Sequence, residues 1–439
     1  MTGEQDALQK DIKAVPDTRS ASASPVVSSS RSRYLAVGIA FFILLITYAV
    51  HYSFGVFFKP VIEELGWSRA ALSGAFSISW ILQGILAIFM GWLNDRLGPR
   101  IVLSISGFLV GSGYLLLSRV TTAWELYLYY GVVIGIGLSG MVVPLLSTIS
   151  RQFILRRSLM TSIAAIGVGV GILIGPPVIN LLVSLYDWRQ SYLFLGALIF
   201  VVVILISQWL RRPEDICESA PLSKAEERKD SFNQFSLRAA SKTRQFWLVV
   251  IIFFCVAFCQ YVVLVHIVPH ATDMGISPTL AANVLSVFGG ASVAGCVLLS
   301  GAADKIGVRT VYIIGFTLIA GSLFWLNGIN TIIPLFIFAA IFGFGLGGLC
   351  SAQSLVVASL FGTKAHGLIF GLVNNGFTLG AAITPILAGY IFDVSGAYSP
   401  AFMASGAVGC AGILLSIWMK RPAEKYLQSA AAAKAGDAQ

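Results

Sequence analysis

Residues 91–100 read Gly91-Trp92-Leu93-Asn94-Asp95-Arg96-Leu97-Gly98-Pro99-Arg100, and residues 300–309 read Ser300-Gly301-Ala302-Ala303-Asp304-Lys305-Ile306-Gly307-Val308-Arg309. A shift of 209 positions superposes Asp95 on Asp304, Gly98 on Gly307 and Arg100 on Arg309. In both copies one apolar run ends just before the acid and another begins just after the glycine. This is the composition of a tight turn between two helices, because glycine reaches positive φ and proline suits a first helical turn. The same shift pairs Gly66 with Gly275, Ser68 with Ser277, Gly167 with Gly376, Gly171 with Gly380 and Pro176 with Pro385. One shift serving so much of the chain implies two halves of like topology.

Composition identifies the solvent around those halves. Of the 439 residues, 57% are hydrophobic and 11% charged, with a mean hydropathy of +0.84. Soluble domains carry about 25% charged residues, so this chain has too few to cover a water-facing surface. An all-α membrane protein is expected. A helix needs about 20 apolar residues to cross a bilayer. Twelve runs qualify: 34–58, 69–92, 101–119, 123–147, 158–184, 190–210, 246–270, 278–302, 309–328, 332–357, 366–391 and 399–419. The expected organisation is a disordered cytoplasmic tail 1–33, a six-helix half 34–210, a cytoplasmic loop 211–245, a second six-helix half 246–419 and a cytoplasmic tail 420–439.

Charge gives the orientation. The net charge is +9, and a basic excess in a membrane protein marks cytoplasmic loops rather than nucleic acid. With the N-terminus inside, 25 of the 29 Lys and Arg fall on the cytoplasmic side; only Lys59, Arg69, Arg119 and Arg189 fall outside. Both termini are therefore expected in the cytoplasm of an inner or plasma membrane protein. The N-terminal run is too long for a signal peptide's apolar region. Of the six cysteines, all but Cys217 lie inside apolar runs without zinc-like spacing, so no disulfide frame, metal or cofactor is expected.

The repeated Asp-Arg/Lys-x-Gly-x-Arg loop resembles the cytoplasmic gating loop of the major facilitator superfamily, whose members pair two six-helix halves around a site near the midplane. The resemblance covers about residues 34–419. It implies gating roles for Asp95, Arg96 and Arg100 and, in the weaker second copy with Ser300 in place of glycine, for Asp304, Lys305 and Arg309. A narrower resemblance joins Phe54-Gly-Val-Phe-Phe58-Lys59, Leu65-Gly66-Trp67-Ser68-Arg69, Phe153-Ile-Leu-Arg156-Arg157, Gly167-x-x-x-Gly171 and Trp188-Arg189-x-x-Tyr192. These segments are similar to the monocarboxylate transporter family and its oxalate/formate-exchanger relatives, which move small organic anions, often with a proton or by exchange. Carriers of that family usually place an Asp and an Arg in the eighth span; the corresponding positions here are Ser292 and Cys296. None of the 29 Lys and Arg lies near the middle of a span, which opens the way to a larger or less charged substrate.

Polar residues deep in spans mark the pathway, because each is costly in lipid. Tyr48, His51, Tyr52 and Gly55 follow i, i+3, i+4, i+7 on span 1 and share a face. The 209 shift carries His51 to Gln260 and Tyr52 to Tyr261 in span 7. Gln353 on span 10 and Asn374 and Asn375 on span 11 join them as candidate substrate-binding residues, with Thr378 a further polar group on the same span. Each has a plainer alternative, since a buried histidine often packs, and Asn and Gln often bond across membrane helices. With no carboxylate deep in a span, His51 is the candidate proton carrier.

The expected function is secondary transport of a small organic anion by alternating access, with the proton as a candidate co-substrate, the bilayer as its setting, no nucleic-acid partner and a monomer as the working unit. A membrane enzyme would need a nucleophile, metal cluster or carboxylate pair at depth; the 20 acidic residues lie in loops or near span ends. A sensor would normally carry a soluble signalling domain. A drug exporter driven by proton antiport is the nearer alternative. Its usual Gly-x-x-x-Gly-Pro-x-x-Gly-Gly is half met by Gly171-x-x-x-Gly175-Pro176, with Ile179 and Asn180 where the final glycines would stand.

Overall fold

The computed structural model of the protein describes residues 30–153, 157–210, 237–362 and 366–419. Residues 1–29 of the expected N-terminal tail, the C-terminal tail, most of the 211–245 loop and Arg156 lie outside the described residues, whereas 30–33, expected as disordered tail, open the first helix. Among the described residues there are helices and turns, and eleven stretches are long and apolar enough to cross a membrane. One of the eleven, Leu159–Ser207, contains two passes. The helix Arg157–Ser207 is bent at Asp187, whose φ is 75° and whose carboxylate accepts a bond from the N–H of Trp188 at 2.6 Å. A non-glycine residue at positive φ is uncommon; here the side chain satisfies the amide that the bend frees.

The twelve legs are α1 (Ser30–Tyr52, continuing beyond Ser53 as Phe54–Leu65), α2 (Arg69–Leu97), α3 (Pro99–Leu117), α4 (Ala123–Gln152), α5 and α6 (157–186 and 188–207), α7 (Arg244–Asp273), α8 (Pro278–Ile306), α9 (Val308–Leu326), α10 (Ile332–Phe361), α11 (His366–Ser395) and α12 (Ser399–Ile417). A further short helix, Leu237–Ser241, stands within the stretch expected as a loop. α1 breaks at Ser53 (φ −86°, ψ 10°), and Tyr127–Ile134 within α4 winds in wide i→i+5 turns. Such wide turns often sit at functional places in helices.

The helix ends obey local chemistry. Ser68 and Ser277, partners in the repeat, both cap their helices, accepting bonds from the amides of Ala71 and Leu280. A cap of this kind stabilises a helix by about 1 kcal/mol. Gly98 and Gly307 take φ of 83° and 81° at the two repeated turns.

Repeat symmetry extends into the packing. A Cβ on Gly171 would lie 2.7 Å from the carbonyl oxygen of Leu45, and one on Gly380 would lie 2.6 Å from that of Phe254. Leu45 and Phe254 are themselves 209 residues apart, so α5 lies on α1 as α11 lies on α7. Small residues allow this approach, and the gain is van der Waals contact that lipid alone would not supply. The halves meet along two seams. Gly84 of α2 faces Thr378 of α11, and Gly389 of α11 faces Ala70 of α2; Gly289 of α8 backs onto Leu173 of α5. Large apolar side chains such as Ile88, Leu205 and Val394 remain exposed on the outside of the bundle, as a lipid-facing surface requires.

Candidate functional site

The break in α1 lies against α7 of the other half. A Cβ on Gly55 would stand 2.9 Å from the carbonyl oxygen of Val265 in α7. This proximity brings the hydroxyl of Tyr52 to 3.2 Å from that of Tyr261. Tyr48 lies beside this pair, its ring centroid 5.4 Å from that of Tyr52. Trp80 of α2 stands edge-on to Tyr261 at 5.0 Å, and Phe377 of α11 approaches both, at 6.2 Å from Trp80 and 6.0 Å from Tyr261. Four helices from two halves thus supply one aromatic cluster.

His51 stands against this cluster, its ring centroid 6.0 Å from Tyr48, 5.5 Å from Tyr52 and 6.0 Å from Trp80. His51 is fully buried and stacks between Phe76 at 5.0 Å and Tyr130 at 6.0 Å, inside the first half. Its Nδ1 lies 3.2 Å from the Tyr130 hydroxyl, while Nε2 has no partner among the described residues. Gln260 is buried and turned toward α10, its Oε1 3.7 Å from Cys350 Sγ. Among the described residues, the ring nitrogen left open on His51 faces no carboxylate or cation within hydrogen-bonding range.

Gln353 and Asn374 are half-buried, and Gln353 Nε2 is enclosed without a partner. Asn375 departs from the expectation. It is exposed, on the stripe of α11 that carries Leu368, Leu372 and Leu379, because one helical step of about 100° turns it away from Asn374. Gln83, one turn along α2 from Trp80, is buried with an unpartnered Nε2.

The expected gating loop is braced within its own half. Asp95 pairs with Arg151 of α4 at 2.5 Å, rather than with Arg96 or Arg100. Arg96 lies over the ring of Trp92 at 4.3 Å, and Arg100 Nε donates to the carbonyl of Leu210 beyond α6. A residue on the same short turn projects outward, whereas α4 presents Arg151 directly across from the carboxylate. Lys305 and Arg309 are exposed, and the side chain of Asp304 lies outside the described residues.

Sequence reasoning missed the lock at the other end of the bundle. Arg69, at the start of α2, forms a two-armed ion pair with Asp273 of α7 (2.7 and 3.0 Å) and donates to the Tyr398 hydroxyl at 2.7 Å. Its guanidinium also lies 3.7 Å over the ring of Phe392. Asp393 of α11 accepts bonds from the backbone amides of Arg69 and Ala70 at 3.0 and 2.9 Å, so a residue of one half caps a helix of the other. Tyr398 continues the chain to His266 Nδ1 at 3.2 Å, and His266 Nε2 donates to the Pro385 carbonyl at 3.0 Å. Burial pushes the Tyr398 phenol well above its ordinary range against the opposing pull of Arg69, so it keeps the proton that bridges to His266. Arg69 sits in a segment singled out above, but Asp273 and Asp393 read only as acids near span ends; only folding joins them.

Among the described residues the second seam carries no such ion pair. There Asn180 of α5 donates to Thr279 of α8 at 3.1 Å. Beside them a cavity of about 330 Å³ is bordered by Lys59, Glu63 and Thr272. Lys59 and Glu63 are 3.9 Å apart.

The sequence model of the Major Facilitator Superfamily matches residues 40–302 and 267–437. Monocarboxylate transporter 13 of Rattus norvegicus is 29% identical over 383 residues, covering 86% of this chain and 87% of that protein. The oxalate:formate antiporter of Oxalobacter formigenes is 27% identical over 280 residues, covering 63% of this chain and 64% of its own. Among solved structures, a bacterial homologue of the human lysosomal transporter Spinster, inward-facing and occupied, superposes with a TM-score of 0.68 at 16% identity, over 89% of this chain and 96% of that one. That likeness concerns the fold alone.

Proposed function

This chain belongs to the Major Facilitator Superfamily, and from that premise we propose that it is a secondary transporter of a small organic anion, working by alternating access. The observation that carries the reading is the Tyr52–Tyr261 pair, which sets equivalent residues of the two halves against one another beside neutral hydrogen-bond donors. Similarity to monocarboxylate transporters and to an oxalate:formate antiporter supports the substrate class. The Arg69 end is the exterior, held shut by the ion pair with Asp273, and the Asp95–Arg151 loop lies on the cytoplasmic side with both termini. With that end shut, substrate exchanges with the cytoplasmic side, and breaking the Arg69 lock admits the next one from outside.

Within this reading His51 is the candidate proton site, since no Asp or Glu lies deep in a span. The substrate-binding set is Tyr48, Tyr52, Gln260, Tyr261, Gln353 and Asn374. The protein acts as a monomer. The test is counterflow in proteoliposomes. Vesicles loaded with unlabelled lactate, formate, oxalate or benzoate should accumulate the labelled anion transiently and saturably. Counterflow with none of these anions, together with gradient-driven movement of neutral or cationic drugs, would replace the reading by the exporter alternative.

A further inference from the structure

We propose that the central site selects an aromatic monocarboxylate, a ring of benzoate or phenylacetate size bearing one carboxylate, over a short aliphatic acid. The inference rests on the organic-anion reading above and narrows it.

Three observations carry it. The first is the ring cluster. Trp80, Tyr261 and Phe377 meet edge to face, with interplanar angles of 61°, 79° and 67°. Tyr261 is fully buried, whereas Trp80 and Phe377 are half-buried and keep ring surface uncovered. Edge-to-face and offset contacts are the arrangements that aromatic rings prefer, so a further ring can join this set without repacking it.

The second is a group of neutral donors without acceptors. Trp80 Nε1, Gln83 Nε2 and Gln353 Nε2 are each enclosed and have no hydrogen-bond partner among the described residues. Gln83 is itself 6% exposed. Trp80 and Gln83 are three residues apart on α2 and so share a face. Gly84, next along that helix, touches Thr378 of α11, the neighbour of Phe377. Trp80 and Gln83 therefore lie at the rim of the ring cluster, and Gln353 lies one turn along α10 from Cys350, which faces Gln260 beside Tyr261. A buried N–H left unpaired is costly, and an acceptor-rich group such as a carboxylate removes that cost.

The third is the lack of a cation. No Lys or Arg lies near the middle of any span, so a carboxylate here is held by neutral N–H groups. Those bonds are weaker than the bidentate grip of an arginine. Lactate or formate offers little else to bind. An aromatic acid adds ring contacts, each worth roughly two- to twelve-fold in affinity.

The experiment uses the full chain in proteoliposomes and measures exchange of labelled benzoate and, separately, labelled lactate, each against unlabelled benzoate, phenylacetate, cyclohexanecarboxylate and lactate. Benzoate and phenylacetate should compete at concentrations at least about ten-fold lower than lactate, and lower than cyclohexanecarboxylate. Trp80→Leu should abolish the advantage of benzoate over cyclohexanecarboxylate, while Trp80→Phe should retain it. Phe377→Leu is the second variant, used if Trp80→Leu fails to reach the membrane. Lactate exchange equal to or better than benzoate exchange overturns the inference and leaves the organic-anion reading standing. Equal competition by cyclohexanecarboxylate also overturns it, because the site would then read bulk rather than rings. Absence of exchange with every acid overturns both.

Discussion

The hydroxyls of Tyr52 and Tyr261 lie 3.2 Å apart, and the two residues are separated by 209 positions in the chain. That separation is the period of the internal repeat, so equivalent atoms of the two halves meet on the pseudo-symmetry axis. A contact on the axis senses rotation of one half against the other directly.

Tyr52→Phe and Tyr261→Phe should therefore each slow exchange by a similar factor. One hydrogen bond contributes about 0.5–1.5 kcal/mol, which corresponds to roughly two- to twelve-fold. The double variant should be no slower than either single one, because both remove the same bond. Initial rates of counterflow measure this, and additive losses would separate the two hydroxyls into independent roles.

Breaking the Arg69 lock should favour the opposite state of the carrier. Arg69→Gln and Asp273→Asn each leave a partly buried charge without its partner, and hydrogen bonds to charged groups contribute about 1.5–3 kcal/mol. Val265, 1% exposed beside Gly55, is shielded while that end is shut. Labelling of Val265→Cys by a maleimide, above the background of the native cysteines, should rise by roughly ten-fold or more in the lock variants. Unchanged labelling would reduce the lock to a surface ion pair.

Asp95→Asn should impair turnover while expression and membrane insertion persist. Asp95 and Arg151 are both about half exposed, so the pair adds at most about 1 kcal/mol to stability. Arg151→Gln should reproduce the defect, since it removes the same pair from the other side. Asp304→Asn should have a smaller effect, because the second loop lacks the glycine at Ser300. Full activity in Asp95→Asn and Asp304→Asn alike would make the loops determinants of orientation alone.

Uptake driven by a pH gradient should lose its gradient stimulation in His51→Gln if the imidazole carries the proton. Glutamine is the residue already present at the repeat-equivalent position 260. The stacking between Phe76 and Tyr130 sets the competing outcome. Retained stimulation, with a lowered thermal midpoint, would identify His51 as a packing element of the first half.

The fold was legible in the sequence because bilayer thickness and hydrophobicity act on each segment separately. Run length, the placement of Lys and Arg, and the 209-residue period each report on local chain or its nearest copy. The glycines that let α5 lie on α1 and α11 on α7 belong to that same legible layer, since close approach depends on the absence of a side chain. The break in α1 at Ser53 did not announce itself; no proline or glycine occupies the position.

The candidate site was legible only in part. Repeat symmetry singled out Tyr52 and Tyr261, and the structure brings them together. It did not reveal Trp80 or Phe377, which read as ordinary apolar residues in apolar spans, nor did it separate Asn374 from the exposed Asn375. The Arg69–Asp273–Asp393–Tyr398 network joins three helix ends and the turn before α12, at sequence separations of 204 to 329 residues. By itself the sequence determined the solvent, the helix count and the two-fold plan, because those follow from free energies summed along single segments. Which polar residues face the pathway, and which charges close one end of it, was decided only by tertiary structure: a hydrogen bond or ring contact depends on the rotation and approach of two helices, and neither is encoded in one helix alone.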